Sequence, residues 1–216
     1  MGTTELNPEY LVHDETDLRS KFSATHDIAI KKCLNYVDDH ARSFIERSTF
    51  VCVGTQSKDG AADVSPRGDP RGFVKILDRK TLLIPDRPGN NRLDTLSNIL
   101  TNPKVGLLFL VPGFDETMRV NGTAQLTRDP DLLAMMVVNE RVPGIAIAVH
   151  VEEVFIHCAK ALRRSNLWDA DLHQNRNDVA SLMKIILDQT TGAPSDPEEQ
   201  RQLDEGLEQE YRQTMY

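Results

Sequence analysis

The sequence has little of what marks membrane or secreted proteins. Its 216 residues include three cysteines, one tryptophan and 6% aromatic residues. The longest apolar runs, residues 105–111 and 144–149, are far shorter than the roughly 20 residues that a membrane-spanning helix requires. The N-terminal run MGTTELNPEYLVHDE is polar and acidic, which is not the pattern of a secretory signal peptide. We therefore expect no membrane association.

Metal-binding and disulfide patterns are also missing. Cys33, Cys52 and Cys158 are widely spaced and form no CxxC pair, so a reducing, cytoplasmic location is expected. The six histidines include no HExxH pair and none at zinc-finger spacing to a cysteine. Adjacent His157 and Cys158 would point to opposite faces of a strand. The sequence predicts no metal site.

The common nucleotide and hydrolase motifs are absent as well. No Gly-x-Gly-x-x-Gly run, Walker motif or Gly-x-Ser-x-Gly elbow occurs, which argues against the most frequent phosphate loops and against an α/β-hydrolase. No internal repeat or low-complexity tract is found.

Charge is distributed unevenly along the chain. The formal net charge is −8, so the chain lacks the basic excess of a nucleic-acid-binding protein. Residues 194–216 hold seven acidic residues and two arginines, whereas residues 65–92 hold seven lysines or arginines and three aspartates. A basic segment in an acidic protein favours a small anionic ligand over a polyanion.

Hydrophobic periodicity predicts a mainly β domain with flanking helices. Strands are expected over residues 49–55, 61–66, 73–77, 81–84, 104–111 and 117–127, with one or two further strands over residues 145–157. Helices are expected over residues 26–47, 91–100, 130–140, 178–189 and 197–211. Hairpin spacing favours an antiparallel barrel. We predict a polar extension (1–25), a barrel domain (26–170) and a C-terminal helical extension (171–216).

Two arginine-containing turns are candidate anion sites. The first, residues 65–69, places Arg67 and Gly68 after Ser65 and Pro66, where a guanidinium can bind a phosphate and the glycine allows close backbone approach. The second, residues 84–92, joins a strand to a helix that Asn90 or Asn91 would cap. The alternative for the first segment is an ordinary surface turn. The alternative for the second segment is a well-capped helix with solvated arginines.

A third cluster lies at residues 157–168. It combines three cations, a hydroxyl and the only tryptophan, which suits a flat, anionic, electron-accepting ligand. A basic loop with tryptophan as a hydrophobic plug explains the same composition.

Six segments of the chain resemble the pyridoxamine 5'-phosphate oxidase-like flavoproteins. They are residues 50–55, 60–68, 82–93, 102–109, 118–124 and 157–168. The resemblance covers about residues 40–170, and the last segment is similar to a particular branch of the superfamily. It implies a six-stranded, antiparallel, Greek-key split β-barrel that binds FMN at the interface of a homodimer and acts as an oxidoreductase on a small-molecule substrate.

The resemblance also implies a set of FMN-binding residues: Ser65, Arg67, Gly68, Pro85, Asp86, Arg87, Asn91, Arg92, Lys160, Arg163, Arg164, Ser165 and Trp168. Arg67 would lie beside the isoalloxazine or the phosphate-side strand, and residues 85–87 would touch the ring and ribityl chain. Asn91 and Arg92 would clamp the phosphate. The residues after 159 would close the site, from the partner chain.

The chain departs from the family at its C-terminus. Members that oxidise pyridoxamine phosphate end with an Arg-x-His motif, whereas residues 212–216 read Arg-Gln-Thr-Met-Tyr. This argues against that substrate, and no side chain stands out as an acid or base. Relatives that bind F420, haem or another tetrapyrrole, and a non-enzymatic flavin-binding module, remain alternatives.

Overall fold

The computed structural model describes residues 4–216. They fall into two compact units, of which the first ends at Cys33 and the second is Leu34–Tyr216. The first unit contains a 3₁₀ turn, Pro8–Tyr10, and two short helices, α1 (Glu15–Ser20) and α2 (Asp27–Lys31). None of these three elements contains a buried residue.

The predicted helix over residues 26–47 is wrong in its middle. It is replaced by α2 and by α3 (Asp39–Arg47). Leu34 instead exchanges backbone hydrogen bonds with Val154, and the side chain of Asp38 accepts a hydrogen bond from the Ala41 amide at 2.8 Å. The pairing of Leu34 and the N-cap at Asp38 therefore interrupt the single helix that hydrophobic spacing predicts.

The second unit is built on an antiparallel sheet of seven strands, which matches the number predicted from periodicity when residues 145–157 form a single strand, but not the six strands that the family resemblance implied. They are β1 (Phe50–Gln56), β2 (Ala62–Gly68), β3 (Lys75–Ile76), β4 (Thr81–Pro85), β5 (Lys104–Leu110), β6 (Thr117–Thr127) and β7 (Ala146–His157). Their order is β2-β1-β5-β6-β7-β4-β3. All seven lie at predicted positions, and β7 is one continuous strand.

Helices complete the described part of the second unit. Besides α3 they are α4 (Asp94–Thr101), α5 (Pro130–Ala134), α6 (Lys160–Ser165), α7 (Leu182–Asp188) and α8 (Pro197–Thr214), with 3₁₀ turns at Ala170–Leu172 and Arg176–Asp178. Helix α6 was not predicted, and α5 is shorter than the 130–140 segment expected. Among the described helices, none is long and apolar enough to cross a bilayer.

Alternation along the strands separates a large core from a small one. The large core takes Val51 and Val53 from β1 and Leu107 and Phe109 from β5, together with buried residues of α3, α4, β4, β6 and β7. On the opposite face of β4, Leu83 joins Leu133 and other residues near α5 in a second cluster. Successive strand residues point to opposite faces, so β4 serves both cores.

A β-bulge between Asn121 and Gly122 shifts the register of β6 against β7. Here the strands approach so closely that a Cβ atom on Gly122 would lie 2.0 Å from the carbonyl oxygen of His150. Only glycine fits this position without displacing β7.

We expect Gly122→Ala to lower the free energy of unfolding by roughly 1–3 kcal/mol, because the added methyl group forces the two central strands apart. Urea denaturation measures the change. Gly106→Ala is the matched control, since a Cβ at this β5 position meets only the side chain of Asn121 at 3.5 Å. Equal stabilities of the two variants would contradict the close approach at Gly122.

Candidate functional site

A cleft of about 860 Å³ opens where the end of β4 meets β2 and the start of α4. Four stretches of chain line it: residues 63–69 with Phe73, residues 85–96, residues 141–145, and residues 215–216. Pairing of β4 with β7 brings Pro85 beside Ala146, and the Asp86 amide donates to the Ile145 carbonyl at 3.0 Å. The sheet therefore places the 141–145 loop beside the β4–α4 turn.

Eight of the predicted cofactor residues line this cleft. They are Ser65, Arg67, Gly68, Pro85, Asp86, Arg87, Asn91 and Arg92. The first of the two arginine-containing segments is not a turn, because residues 65–68 belong to strand β2. This strand end and the β4–α4 turn, 19 residues apart at Arg67 and Asp86, meet in one place. Whether these residues bind a cofactor stays a prediction.

The other five predicted residues, Lys160, Arg163, Arg164, Ser165 and Trp168, do not line the cleft of their own chain. The indole nitrogen of Trp168 donates to the Phe114 carbonyl at 2.8 Å, and Arg163 Nε pairs with Asp115 Oδ2 at 2.8 Å. These contacts hold α6 and its C-terminal turn against the loop between β5 and β6. Within one chain, the third cluster is separate from the first two.

Arg67 crosses the cleft from β2 to the end of β4. Its Nη1 donates to Asp86 Oδ1 at 2.5 Å. Its Nε is buried and has no hydrogen-bond partner among the described residues. A buried guanidinium N–H without an acceptor is costly.

Arg87 is occupied by the protein itself. Its Nε pairs with Asp69 Oδ2 at 2.6 Å, and its Nη2 donates to the Met136 carbonyl at 2.8 Å. The Asp69 side chain is only 1% exposed. Arg87 therefore neutralises a buried carboxylate and connects the two arginine-containing segments to the residues after α5, a structural role that its sequence position does not reveal.

Asp69 has a second partner at the far end of the chain. The hydroxyl of Tyr216 donates to Asp69 Oδ1 at 2.9 Å, and the Arg87 guanidinium lies 5.7 Å from the centre of the Tyr216 ring. The hydrogen bond to Asp69, reinforced by burial, raises the pKa of the Tyr216 phenol. The tyrosine consequently remains neutral and keeps its donor hydrogen at physiological pH.

The start of α4 has no side-chain cap, so the predicted capping role of Asn90 or Asn91 is wrong. The Asn90 side chain accepts from the Arg92 amide at 3.1 Å, one turn too early. Asn91 and Leu93 both have left-handed backbones, with φ of 58° and 59°, and Leu93 occupies the N-cap position without a cap hydrogen bond. The first N–H groups of the helix, which belong to residues that line the cleft, therefore have no side-chain cap as acceptor.

Arg92 is exposed to solvent, whereas Arg87 is largely buried. Its side chain is 73% exposed, and its Nε pairs with Asp94 Oδ2 at 2.7 Å. This partner raises the pKa of Arg92, so the group is always charged. Exposed ion pairs contribute little to stability, and Arg92 can therefore exchange Asp94 for a ligand anion at the helix start.

Sequence reasoning missed three parts of the site. Asp63 accepts hydrogen bonds from Thr55 at 3.2 Å and from Thr95 at 3.0 Å, which fixes α4 against β1 and β2. The 141–145 loop and the pair Met215 and Tyr216 complete the lining. Each reaches the cleft through long-range contacts that leave no local signal in the sequence.

The described lining contains no histidine or cysteine. No group of three His, Cys, Asp or Glu residues in the described part of the chain could hold a metal ion. The arrangement offers guanidinium groups, backbone N–H groups and a tyrosine, which suit an anionic organic ligand.

Comparisons with known proteins identify related folds. The family model described as pyridoxamine 5'-phosphate oxidase matches residues 37–158. HupZ of Group A Streptococcus is 19% identical with a TM-score of 0.47, covering 56% of this chain and 93% of that chain. A Clostridium acetobutylicum protein related to general stress protein 26, of the pyridoxinephosphate oxidase family, is 15% identical with a TM-score of 0.41, covering 55% and 85%.

An FMN-binding protein of Syntrophomonas wolfei is 8% identical with a TM-score of 0.42, covering 66% of this chain and 96% of that chain. No curated protein sequence gives a significant match.

Proposed function

The chain belongs to the pyridoxamine 5'-phosphate oxidase family, and on this premise we propose that it binds FMN in the cleft and acts as an oxidoreductase on a small-molecule substrate. A volume of about 860 Å³ falls within the range of roughly 300–1,000 Å³ that is usual for cofactor and ligand sites. The chain carries no dinucleotide fingerprint, which favours a mononucleotide over FAD.

The main support for FMN binding is the start of α4, which has no side-chain cap. Free N–H groups at a helix N-terminus and the positive end of the helix dipole favour a phosphate. Arg92 stands at this helix start with a side chain that is free to turn towards a ligand. Together they match the terminal phosphate of FMN, with Asn91 in the left-handed turn beside them.

The Arg67 guanidinium lines the cleft and suits a polar atom of the ring system or the ribityl chain. Bound flavin supplies the redox chemistry. The chain's own part would be to position the group, to exclude water, and to place the Arg67 guanidinium beside it, where a positive charge stabilises negative charge. Asp86 holds that guanidinium in place. Arg87 acts as a support beneath the cleft rather than as a ligand.

We propose further that the protein is a homodimer. The third cluster lies outside the cleft of its own chain, and neither Lys160 nor Arg164 has an ion-pair partner among the described residues. In a symmetric dimer a partner chain can bring this cluster to the cleft. Lys160, Arg163, Arg164, Ser165 and Trp168 would then close the flavin site in trans.

The alternative ligands make different demands on the cleft. Haem requires an axial ligand, commonly histidine, cysteine or methionine. In the described lining only Met215 and Tyr216, both on the C-terminal segment, could serve. This favours a flavin over haem. F420 carries phosphate as well, so the geometry alone does not separate it from FMN.

Mass analysis of the cofactor released from purified protein tests the proposal, with light scattering on the same sample. We expect FMN, about one per chain, in a dimer of 24.3 kDa chains. Release of FAD, F420 or haem, or no binding after incubation with FMN, would contradict the cofactor assignment. Turnover of NAD(P)H with an acceptor at a rate above that of free FMN distinguishes an enzyme from a flavin-binding module.

A further inference from the structure

The C-terminal arm, defined here as residues 181–216, is weakly attached along its length. Neither α7 nor α8 contains a buried residue. The two helices contact each other, and Gln200 of α8 donates to Ser181, the N-cap of α7, at 3.4 Å. Segments without buried apolar contacts open at low free-energy cost. The arm can therefore move without unfolding the sheet.

The tip of this arm is held by the cleft. Met215 and Tyr216 follow the last turn of α8 and line the cleft. The anchoring contact is the hydrogen bond from the Tyr216 hydroxyl to Asp69 Oδ1, with the ring beside Arg87. A hydrogen bond to a carboxylate is stronger than one between neutral groups.

When the Tyr216–Asp69 hydrogen bond breaks, the other contacts of Asp69 remain. Asp69 keeps its ion pair with Arg87 through the other carboxylate oxygen, and Arg87 keeps the Met136 carbonyl. The buried charge therefore stays compensated whether Tyr216 is bound or not. The contact can break and form again without disturbing the core.

The tip does not fill the cleft. The volume of about 860 Å³ is what remains with Met215 and Tyr216 in place, and it is sufficient for a cofactor. The tip is thus a wall of the cleft, and it does not compete with a ligand for the same space.

We propose that the C-terminal arm is a gate, and that the Tyr216 hydroxyl is the latch that holds it closed against Asp69. Breaking this one hydrogen bond opens the cleft, and a ligand enters or leaves while the arm is away. The proposal rests on FMN binding in the cleft. It extends that function to the control of exchange.

A gate and a residue that only contacts the ligand are expected to affect the binding rates of FMN differently. Loss of the latch raises the open population in both the free and the bound protein. Tyr216→Phe should therefore raise the association rate and the dissociation rate of FMN together, each by about tenfold, while the dissociation constant changes by less than about threefold. A tyrosine that merely contacts the ligand would raise the dissociation rate alone.

Stopped-flow flavin fluorescence measures both rates in the full-length protein. Tyr211→Phe is the matched control, because Tyr211 lies on the exposed part of α8 and its hydroxyl has no hydrogen bond among the described residues. Deletion of Met215 and Tyr216 provides a second latch-free variant and should give the same paired increase. Unchanged rates in both variants, or an increase in dissociation alone, would overturn the gate.

Hydrogen–deuterium exchange without FMN separates failure of the gate from failure of the cofactor assignment. Tyr216→Phe should raise exchange about tenfold in the last turn of α8, while β6 and β7 stay unchanged. If FMN does not bind but this increase occurs, the proposed function fails and the latch stands. If exchange is unaltered, the latch is wrong whatever ligand the cleft holds.

Discussion

Replacing Arg87 with alanine is expected to destabilise the fold by about 3–5 kcal/mol, the usual cost of leaving a buried charge without its partner. Asp69 is 1% exposed, and Arg87 supplies its short ion pair at 2.6 Å. The remaining hydrogen bond from Tyr216 carries no charge to compensate the carboxylate. Thermal denaturation should show a melting temperature lower by roughly 6–20 °C, at about 2–4 °C per kcal/mol for a chain of this size.

Lys104→Ala provides the comparison for this variant. Lys104 pairs with Glu152 at 3.0 Å, but both side chains are largely exposed. Removal of such a pair changes stability by no more than about 1 kcal/mol. If Arg87→Ala melted at the same temperature as Lys104→Ala, the Asp69–Arg87 pair would not support the cleft, and Arg87 would again be a candidate ligand residue.

Arg92→Ala should weaken FMN binding by about ten- to a hundredfold, because the variant loses charge-assisted hydrogen bonds to the phosphate at the start of α4. The exposed pair with Asp94 subtracts little from this effect. Riboflavin, which lacks the phosphate, should bind the variant and the wild type almost equally. Titration of both ligands into both proteins measures the difference.

Arg71→Ala controls for the loss of one positive charge in the same basic segment, since Arg71 is exposed and does not line the cleft. It should bind FMN as the wild type does. An unchanged FMN affinity in Arg92→Ala would place the phosphate elsewhere, at Arg67 or among Lys160, Arg163 and Arg164. An equal loss of riboflavin binding would indicate that Arg92 supports the site as a whole.

Arg87→Ala and Arg92→Ala distinguish a structural arginine from a proposed ligand-binding arginine, a difference that the sequence does not show. Arg87 and Arg92 lie five residues apart in one turn, and both were expected to touch the cofactor. The fold gives Arg87 a buried carboxylate and a carbonyl, and it gives Arg92 solvent and an exposed aspartate. Burial, which depends on where distant strands pack, decides which of them is free to bind.

The strands were predictable because their signal is local. Alternating burial along β1 and β5 corresponds directly to alternating residue types in the chain. The helix predicted over residues 26–47 failed for the opposite reason. Its interruption depends on the backbone pairing of Leu34 with Val154, 120 residues away, and no local pattern contains that information.

The sequence by itself determined the antiparallel strands, the family and the two arginine-containing segments, because residue spacing and short motifs are properties of adjacent positions. Only the tertiary structure brought those segments together in one cleft, placed the first of them in strand β2, and left the third cluster outside the cleft. It alone placed Tyr216 on Asp69, 147 positions apart. The uncapped start of α4 was likewise decided by the backbone, since left-handed turns at Asn91 and Leu93 direct the expected cap away from the helix.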